Sequence, residues 1–172
     1  LGLYKKEMNT DEFLKVSRKY IESGGKRKFP AKYVEPPGIH WDDENYRGDA
    51  YGTYAYAVNV AEVSVDTVTY QVTVDKFLAI QDIGTVINPV LASGQVEGGV
   101  AQGIGFALYE DVVRKNGVTL NGQMSNYIVP TSVDLPEIKV IFDGVPYEHG
   151  AFGAKGLGEL PMNAPAPAIL AA

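Results

Sequence analysis

Four glycines lie within eight positions, from Gly98 to Gly105, in a segment that otherwise carries the signals of a long helix. Asn88 is a good helix N-cap and Pro89 suits the first helical position, so we expect a helix that begins there and runs to residue 109 or 111. A glycine inside a helix costs about 1 kcal/mol relative to alanine, so some close contact must offset that cost. The sequence therefore predicts a helix that another group approaches closely.

One face of this predicted helix combines glycines with amides. Residues three, four and seven apart share a helix face, so Gln95, Gly98, Gly99 and Gln102 form one stripe. In that stripe two amides frame a bare backbone groove. An amide offers two donors and an acceptor, so the groove suits a planar, hydrogen-bonding ligand. Small residues equally indicate close packing on another element, with the amides satisfied by protein, and this alternative stays open.

A second glycine-rich segment runs from Gly150 to Gly158 and is followed directly by Glu159. Glycine allows backbone conformations in which N–H groups converge, and such a turn can present a carboxylate rigidly. We therefore predict that Glu159 is a general base, and the alternative is a helix-terminal glutamate stabilised by the helix dipole. The segment lacks the Ser or Thr that a Walker loop has after its Lys, and its glycine spacing does not fit dinucleotide binding. A nucleotide-dependent enzyme is the weaker hypothesis.

The first 50 residues predict one helix and an irregular connection. Asn9 or Thr10 can cap a helix over residues 9–23, which a pair of glycines ends. Three prolines in residues 26–50 exclude a long regular element there.

Strand signals dominate the region that follows. Two runs of alternating apolar residues over 51–82, the second starting at Val68, predict two strands with a turn at Asp66-Thr67. Residues 137–142 predict a further strand.

Turn and helix signals complete the chain. Asn116-Gly117 and Asn121-Gly122 predict turns that can close a hairpin, and the segment after Pro161 predicts a terminal helix. Mixed hairpins and helices indicate the α+β class rather than a doubly wound parallel sheet.

Composition excludes several classes of protein. The chain has no cysteine, which removes disulfides, thiol nucleophiles and cysteine-bound iron–sulfur or zinc sites from it. Its formal charge of −6 argues against a nucleic-acid partner. His40 and His149 are too few for a histidine-rich metal site, so we predict no metal ligand in this chain. No apolar run reaches the ~18 residues of a membrane-spanning helix, and we predict no membrane partner.

Five stretches of the sequence carry a family resemblance: Tyr54–Val63, Asp82–Pro89, Gln95–Gly105, Tyr127–Pro130 and Gly153–Glu159. Together they resemble the C-terminal part of the molybdenum-binding subunit of the molybdenum hydroxylases, the xanthine dehydrogenase and aldehyde oxidoreductase family. They occur in the family's order and spacing over residues 50–172, and five in order are far more specific than any one alone. Residues 1–50 match less distinctly.

The resemblance implies roles for the candidate site residues. Glu159 occupies the position of the family's catalytic glutamate, and Gln95 that of a glutamine that hydrogen-bonds the pterin cofactor. Lys155 and Gly156 would shape the loop that presents Glu159. The implied cofactor-binding set is Gln95, Gly98, Gly99, Gln102, Lys155 and Gly156.

The reaction that the resemblance implies is hydroxylation of a heterocycle or aldehyde carbon, with water as the oxygen source. The implied cofactor is a molybdenum–pterin, of which the cytosine dinucleotide is one form. Iron–sulfur clusters and FAD would lie only in partner domains or subunits. Glu159 would take a proton during the reaction, for which a partly desolvated pocket is suited.

The chain is far shorter than a whole molybdenum subunit of this family, so we interpret residues 1–172 as a single fragment of a larger molybdopterin-binding domain. Residues 1–50 would form the helix and the connection, and residues 51–172 the α+β core that carries the motifs. The partners would be the remainder of the molybdenum subunit, the iron–sulfur and flavin parts and a small-molecule substrate, in the cytoplasm. We expect the isolated fragment to be inactive. The alternative is a non-catalytic assembly or binding module that keeps the family's fold.

Overall fold

The computed structural model describes residues 8–30 and 34–172. The chain divides into two compact units, Leu1–Pro37 and Gly38–Ala172. That residues 1–172 form one fragment of a larger domain stays a prediction.

The first unit contains one helix, α1 (Thr10–Glu22), in its described part. Asn9 caps it: the Asn9 side chain accepts from the Glu12 N–H at 3.0 Å, and the Glu12 carboxylate accepts from the Asn9 N–H at 3.3 Å. This reciprocal capping satisfies two backbone groups that a helix start leaves open. The helix predicted over residues 9–23 is therefore confirmed.

The predicted Pro-rich connection holds only short regular elements where it is described. Two two-residue strands, β1 (Trp41–Asp42) and β2 (Arg47–Gly48), form a small antiparallel hairpin that the sequence did not predict. Residues 31–33 of the connection lie outside the described residues.

A three-stranded mixed sheet forms the centre of the second unit. Strand β3 (Tyr56–Val65) pairs antiparallel with β4 (Val72–Asp82), and β7 (Glu137–Phe142) pairs parallel with β4 on its other side. The strand predicted over residues 137–142 is confirmed. The strand order β3-β4-β7 places β4 in the middle, so the end of β4 is flanked on both sides.

The turn between β3 and β4 is wider than predicted. Val68 and Tyr70 were predicted as strand residues, but they lie in the turn, and β4 begins only at Val72. The Asp66 carboxylate accepts from the backbone N–H groups of Val68 and Thr69 at 2.7 and 3.0 Å, and Tyr70 has a φ of 59°. An Asp side chain that binds nearby N–H groups stabilises a turn at the expense of the strand.

The glycine-rich helix packs on the sheet. Helix α2 (Pro89–Leu108) begins as predicted, because the Asn88 side chain accepts from the Leu91 N–H at 3.1 Å. It ends at Leu108, just before the predicted end. Its buried side chains meet those of β4 in one apolar core, which includes Phe77, Ala79, Val96, Val100 and Ile104.

The remaining elements are short. Of the two predicted turns, Asn116-Gly117 joins β5 (Arg114–Lys115) to β6 (Val118–Thr119), with positive φ at both turn residues. Asn121-Gly122 joins no pair of strands among the described residues. A single 3-10 turn covers Ala151–Gly153. The mixture of hairpins and helices confirms the α+β class.

The predicted terminal helix is divided in two. Helix α3 (Leu160–Asn163) is followed by α4 (Pro165–Ala171). Pro165 has no N–H for an intrahelical bond, so the first helix stops and proline opens a second one. The Ile169 side chain of α4 joins the core beside α2 and the sheet.

Candidate functional site

Helix α2 and the glycine-rich loop meet at a side-chain-to-backbone hydrogen bond. The Gln95 Nε2 donates to the Gly158 carbonyl at 2.8 Å, across 63 positions of sequence. Glu159 follows Gly158 directly in the chain. The structure therefore brings the amide-and-glycine stripe of α2 beside the loop that carries the predicted base.

Glycines 98, 99 and 103 of α2 have two different kinds of surroundings. Gly99 is buried, and a Cβ there would lie 2.6 Å from the Pro161 Cβ, so glycine allows α3 to pack closely on α2. Gly103 packs on Pro165 in the same way. Gly98 is exposed, and a Cβ there would meet nothing within 4 Å. Close packing thus explains Gly99 and Gly103, whereas Gly98 faces outward as bare backbone.

Gln102 lies at the other end of the stripe. It lines a recess of about 470 Å³ between α2 and the two terminal helices, together with Phe106, Met162 and Asn163. Its side chain is exposed, and within the described part of the chain its amide makes no hydrogen bond. Both amide groups therefore retain free donors and acceptors, because Gln95 uses only one N–H.

Two further glycines leave open space on the loop. Gly156 and Gly158 are exposed, neither has a positive φ, and a Cβ on either would meet nothing within 4 Å. No turn and no contact among the described residues requires glycine at these positions. Their small size leaves the loop backbone accessible beside Glu159.

Lys155 is directed away from this open surface. Its Nζ lies 2.5 Å from Asp82 Oδ2, at the end of β4, and the two side chains expose only 9% and 18% of their surface. The Tyr56 ring centroid lies 6.0 Å from the same ammonium. The Lys155 hydrogen bond lowers the pKa of Asp82, against an opposing effect of burial.

Backbone hydrogen bonds attach the loop to the same end of the sheet. The Lys155 N–H donates to the Ile83 carbonyl at 2.8 Å, and the Thr85 N–H donates to the Gly153 carbonyl at 2.9 Å. Gly84 lies between them with a φ of 65°, and a Cβ there would overlap the Gly153 carbonyl. The loop therefore extends the sheet by a short antiparallel bridge at residues 84 and 154.

Glu159 is the N-cap residue of α3 and is exposed. Its backbone carbonyl accepts from the Met162 N–H at 3.1 Å, and its side chain caps nothing. The carboxylate makes no hydrogen bond or ion pair within the described part of the chain. The described residues do not enclose it, so they do not supply the desolvated pocket expected for a base.

Sequence reasoning missed Asp82 as part of this site. The stretch from Asp82 to Pro89 contributed to the family resemblance, but no role was assigned to Asp82. An acidic residue at a strand end, followed two residues later by a glycine with positive φ, is the local signal. Its pairing with Lys155 depends on a contact 73 residues apart, which no local pattern indicates.

Two negative results concern the described residues. Within residues 8–30 and 34–172, no three His, Cys, Asp or Glu side chains gather so that they could hold a metal ion. Across the same residues, no helix combines the length and the apolar character that crossing a bilayer requires.

Comparison with known families identifies the chain. A model of the molybdopterin cofactor-binding domain matches residues 4–136. This covers most of the chain, including α2 and its stripe, and ends before β7 and the glycine-rich loop. The chain therefore belongs to the molybdopterin cofactor-binding domain family.

Individual relatives agree with this assignment. The chain is 38% identical over 117 residues to the xanthine dehydrogenase molybdenum-binding subunit of Escherichia coli O157:H7, covering 67% of this chain and 16% of that subunit. It is 36% identical over 146 residues to the aldehyde oxidoreductase of Megalodesulfovibrio gigas, covering 83% of this chain and 16% of that enzyme. The chain thus spans about a sixth of the length of these curated relatives.

Solved structures give the same result. The aldehyde oxidoreductase from Desulfovibrio desulfuricans superposes with a TM-score of 0.65 at 35% identity, over 74% of this chain and 14% of that one. The α+β architecture is therefore that of a molybdenum-enzyme domain, and the predicted family is confirmed.

Proposed function

We propose that this chain forms one wall of the active site of a molybdenum hydroxylase, which hydroxylates a heterocycle or aldehyde carbon with water as the oxygen source. The observation that carries the proposal is the hydrogen bond from Gln95 to the Gly158 carbonyl. It joins an amide of the α2 stripe to the residue before Glu159, so that a cofactor-binding surface and a base would face one site. Membership of the family supports the same assignment.

The residues present fit a pterin. Gln95 keeps a free carbonyl oxygen and one free N–H, Gln102 keeps its whole amide, and Gly98 lies near them as exposed backbone. A pterin is a planar ring with donors and acceptors along its edge, which neutral amides and bare backbone can match. The ammonium of Lys155 is held by Asp82, so this donor set suits a ring edge better than a phosphate.

The cofactor would supply the two-electron redox chemistry when bound, and this chain would bind it and move a proton. Gln95 and Gln102 would hydrogen-bond the pterin, and Gly98 would line the groove between them as bare backbone. Gly99, which is buried against Pro161, would contribute by letting α3 pack closely beside that groove. Lys155 and Gly156 would shape the loop, so that Glu159 accepts a proton from the attacking oxygen as a general base.

Other parts of the enzyme would complete the site. The exposed Glu159 would gain its desolvated surroundings from the remainder of the molybdenum subunit. Iron–sulfur and flavin domains or subunits would carry the electrons away. The cytosine dinucleotide is one form that the pterin cofactor would take. We place the enzyme in the cytoplasm and expect this chain alone to be inactive.

The test is the Glu159→Gln variant of the complete enzyme. The neutral amide keeps the shape and cannot accept the proton, so molybdenum and pterin content should stay normal while turnover falls by about 10²–10⁴-fold. Glu148→Gln is the matched control, because Glu148 is an exposed carboxylate in the preceding segment. Near-normal turnover of Glu159→Gln would exclude the base. A native complex without molybdenum or pterin would support the assembly-module alternative.

A further inference from the structure

The Asp82–Lys155 ion pair links the glycine-rich loop to the central strand of the sheet. It joins residues 73 positions apart, and both side chains are largely shielded from solvent. Ions in such a position are screened less by salt than surface ions, and removal of one partner leaves the other charge uncompensated. The pair is therefore a firmer connection than an exposed ion pair of the same chemistry.

The Asp82 carboxylate is held in place from several sides. Its Oδ1 accepts from the Gly84 N–H at 3.1 Å, and its Oδ2 binds the Lys155 ammonium. A Cβ on Gly144 would overlap the carboxylate, so only glycine leaves room for it beside β7. These contacts fix the direction from which Asp82 binds the ammonium.

The loop is held at Lys155 and again at Gly158, directly before Glu159. Upstream, Lys155 is held by its side chain to Asp82 and by its N–H to the Ile83 carbonyl. Downstream, the Gly158 carbonyl accepts from Gln95. Only residues 156–158 lie between Lys155 and Glu159, and a Cβ on Gly156 or Gly158 would meet nothing within 4 Å. Between these two glycines, the side chain of Leu157 packs against the apolar core. Because the two glycines leave the backbone around Leu157 free to change conformation, the position of Glu159 depends on these anchors, of which the ion pair of Lys155 is the first.

We propose that Asp82 and Lys155 are positioning residues of the hydroxylation reaction, and that their ion pair fixes the loop conformation in which Glu159 acts as the base. This inference rests on the proposed function, because it assigns to the ion pair an effect on that same base. Neither residue touches the reacting atoms. Their contribution is to limit the movement of the loop, on which the alignment of a base with its proton depends.

The structure contains a matched ion pair that serves as a control. Lys76 and Glu62 join β4 to β3 at 3.1 Å, with 70% and 62% of their side-chain surface exposed. Like the Asp82–Lys155 pair, it is a Lys–carboxylate contact involving β4. It lies away from the glycine-rich loop and is open to solvent, so its loss should have little effect.

The experiment uses the complete enzyme and four single variants, Asp82→Asn, Lys155→Met, Lys155→Arg and Lys76→Met, with one double variant. Hydrogen–deuterium exchange of the backbone amides over residues 153–159 reports loop opening without any dependence on turnover. Steady-state kinetics, expressed per bound molybdenum, separate kcat from KM. The double variant Asp82→Asn/Lys155→Met measures whether the two residues act as one unit.

The expected result is specific to the loop. Asp82→Asn and Lys155→Met should each speed exchange over residues 153–159 by about tenfold and lower kcat per molybdenum by about 10²-fold, with a smaller change in KM. The double variant should lose little more than either single variant. Lys155→Arg keeps the charge and should retain more protection than Lys155→Met, while Lys76→Met should match the wild type.

Three outcomes would overturn the inference. They are unchanged exchange over residues 153–159, a fall in thermal stability with normal kcat per molybdenum, and equal losses in Lys155→Arg and Lys155→Met. The Glu159→Gln variant, measured in the same series, distinguishes the two proposals. If it is inactive while the Asp82 and Lys155 variants turn over normally, only the positioning role fails. If it is itself active, the proposed base fails.

Discussion

Gly99 lies so close to Pro161 that a Cβ at position 99 would be 2.6 Å from the Pro161 Cβ. This contact seats α3 on α2, and the N-cap residue of α3 is Glu159. Close packing thus explains the glycine at position 99, and the same packing positions the helix that begins at the proposed base. It determines how close the start of α3 can come to the helix that carries Gln95.

Gly99→Ala should therefore disturb both stability and turnover. The added methyl overlaps Pro161, and overpacking of this kind costs about 1–3 kcal/mol. Because α3 must shift to make room, we expect turnover per bound molybdenum to fall as well. Thermal unfolding and steady-state kinetics of the complete enzyme measure the two effects. A variant with wild-type stability would show that α3 accommodates the methyl without cost.

Gly98→Ala is the neighbouring substitution with the opposite stability effect. A Cβ there meets nothing, so the helix should gain up to about 1 kcal/mol from the better helix former. If Gly98 lines the cofactor groove, the same methyl should lower the molybdenum and pterin content of the purified enzyme. Normal cofactor content together with higher stability would remove Gly98 from the proposed site.

Gln95→Leu and Gln102→Leu should separate cofactor binding from loop anchoring. Each removes an amide that we assign to the pterin, so cofactor content should fall in both variants. Only Gln95 also holds the Gly158 carbonyl, so only Gln95→Leu should speed hydrogen–deuterium exchange around residue 158. The contact is exposed, so the change in overall stability should stay below about 1 kcal/mol. Equal exchange in the two variants would contradict the anchoring role.

Local chemistry made much of the fold predictable. The starts of α1 and α2 follow from Asn9 and Asn88, whose side chains cap the nearest backbone N–H groups. The Asn116-Gly117 hairpin follows from the positive φ that both residues tolerate. The error at Val68 and Tyr70 has the same local origin, because alternation indicated a strand while Asp66 bound the N–H groups of a turn.

The site was predictable only in separate pieces. Gln95 and Glu159 each stood out from their own surroundings, but their proximity depends on how α2 and the loop pack on the sheet. The same holds for the parallel pairing of β7 with β4 and for the contact of Lys155 with Asp82, because both join segments that are far apart in the sequence. The catalytic and cofactor-binding roles of the site residues stay predictions until the variants are measured.

The Asp82–Lys155 pair should also make the stability of the folded chain depend on pH in the acidic range. Lys155 lowers the pKa of Asp82 in the folded chain, so the folded state holds the Asp82 proton less tightly than the unfolded chain does. A lowered carboxyl pKa contributes stability that is complete well above the ordinary Asp value of about 4, and that is lost as pH falls through the folded-state pKa. Unfolding temperatures of the wild type and Asp82→Asn, measured from pH 7 to pH 3, should therefore differ most near neutrality and converge in acid.

Comparison of the wild type with Asp82→Asn cancels the contributions of the other aspartates whose pKa is lowered, Asp42, Asp66 and Asp134. Glu62→Gln removes the exposed pair and should change the unfolding temperature only slightly at pH 7. A gap between wild type and Asp82→Asn that stays constant down to pH 3 would contradict a stabilising charge on Asp82.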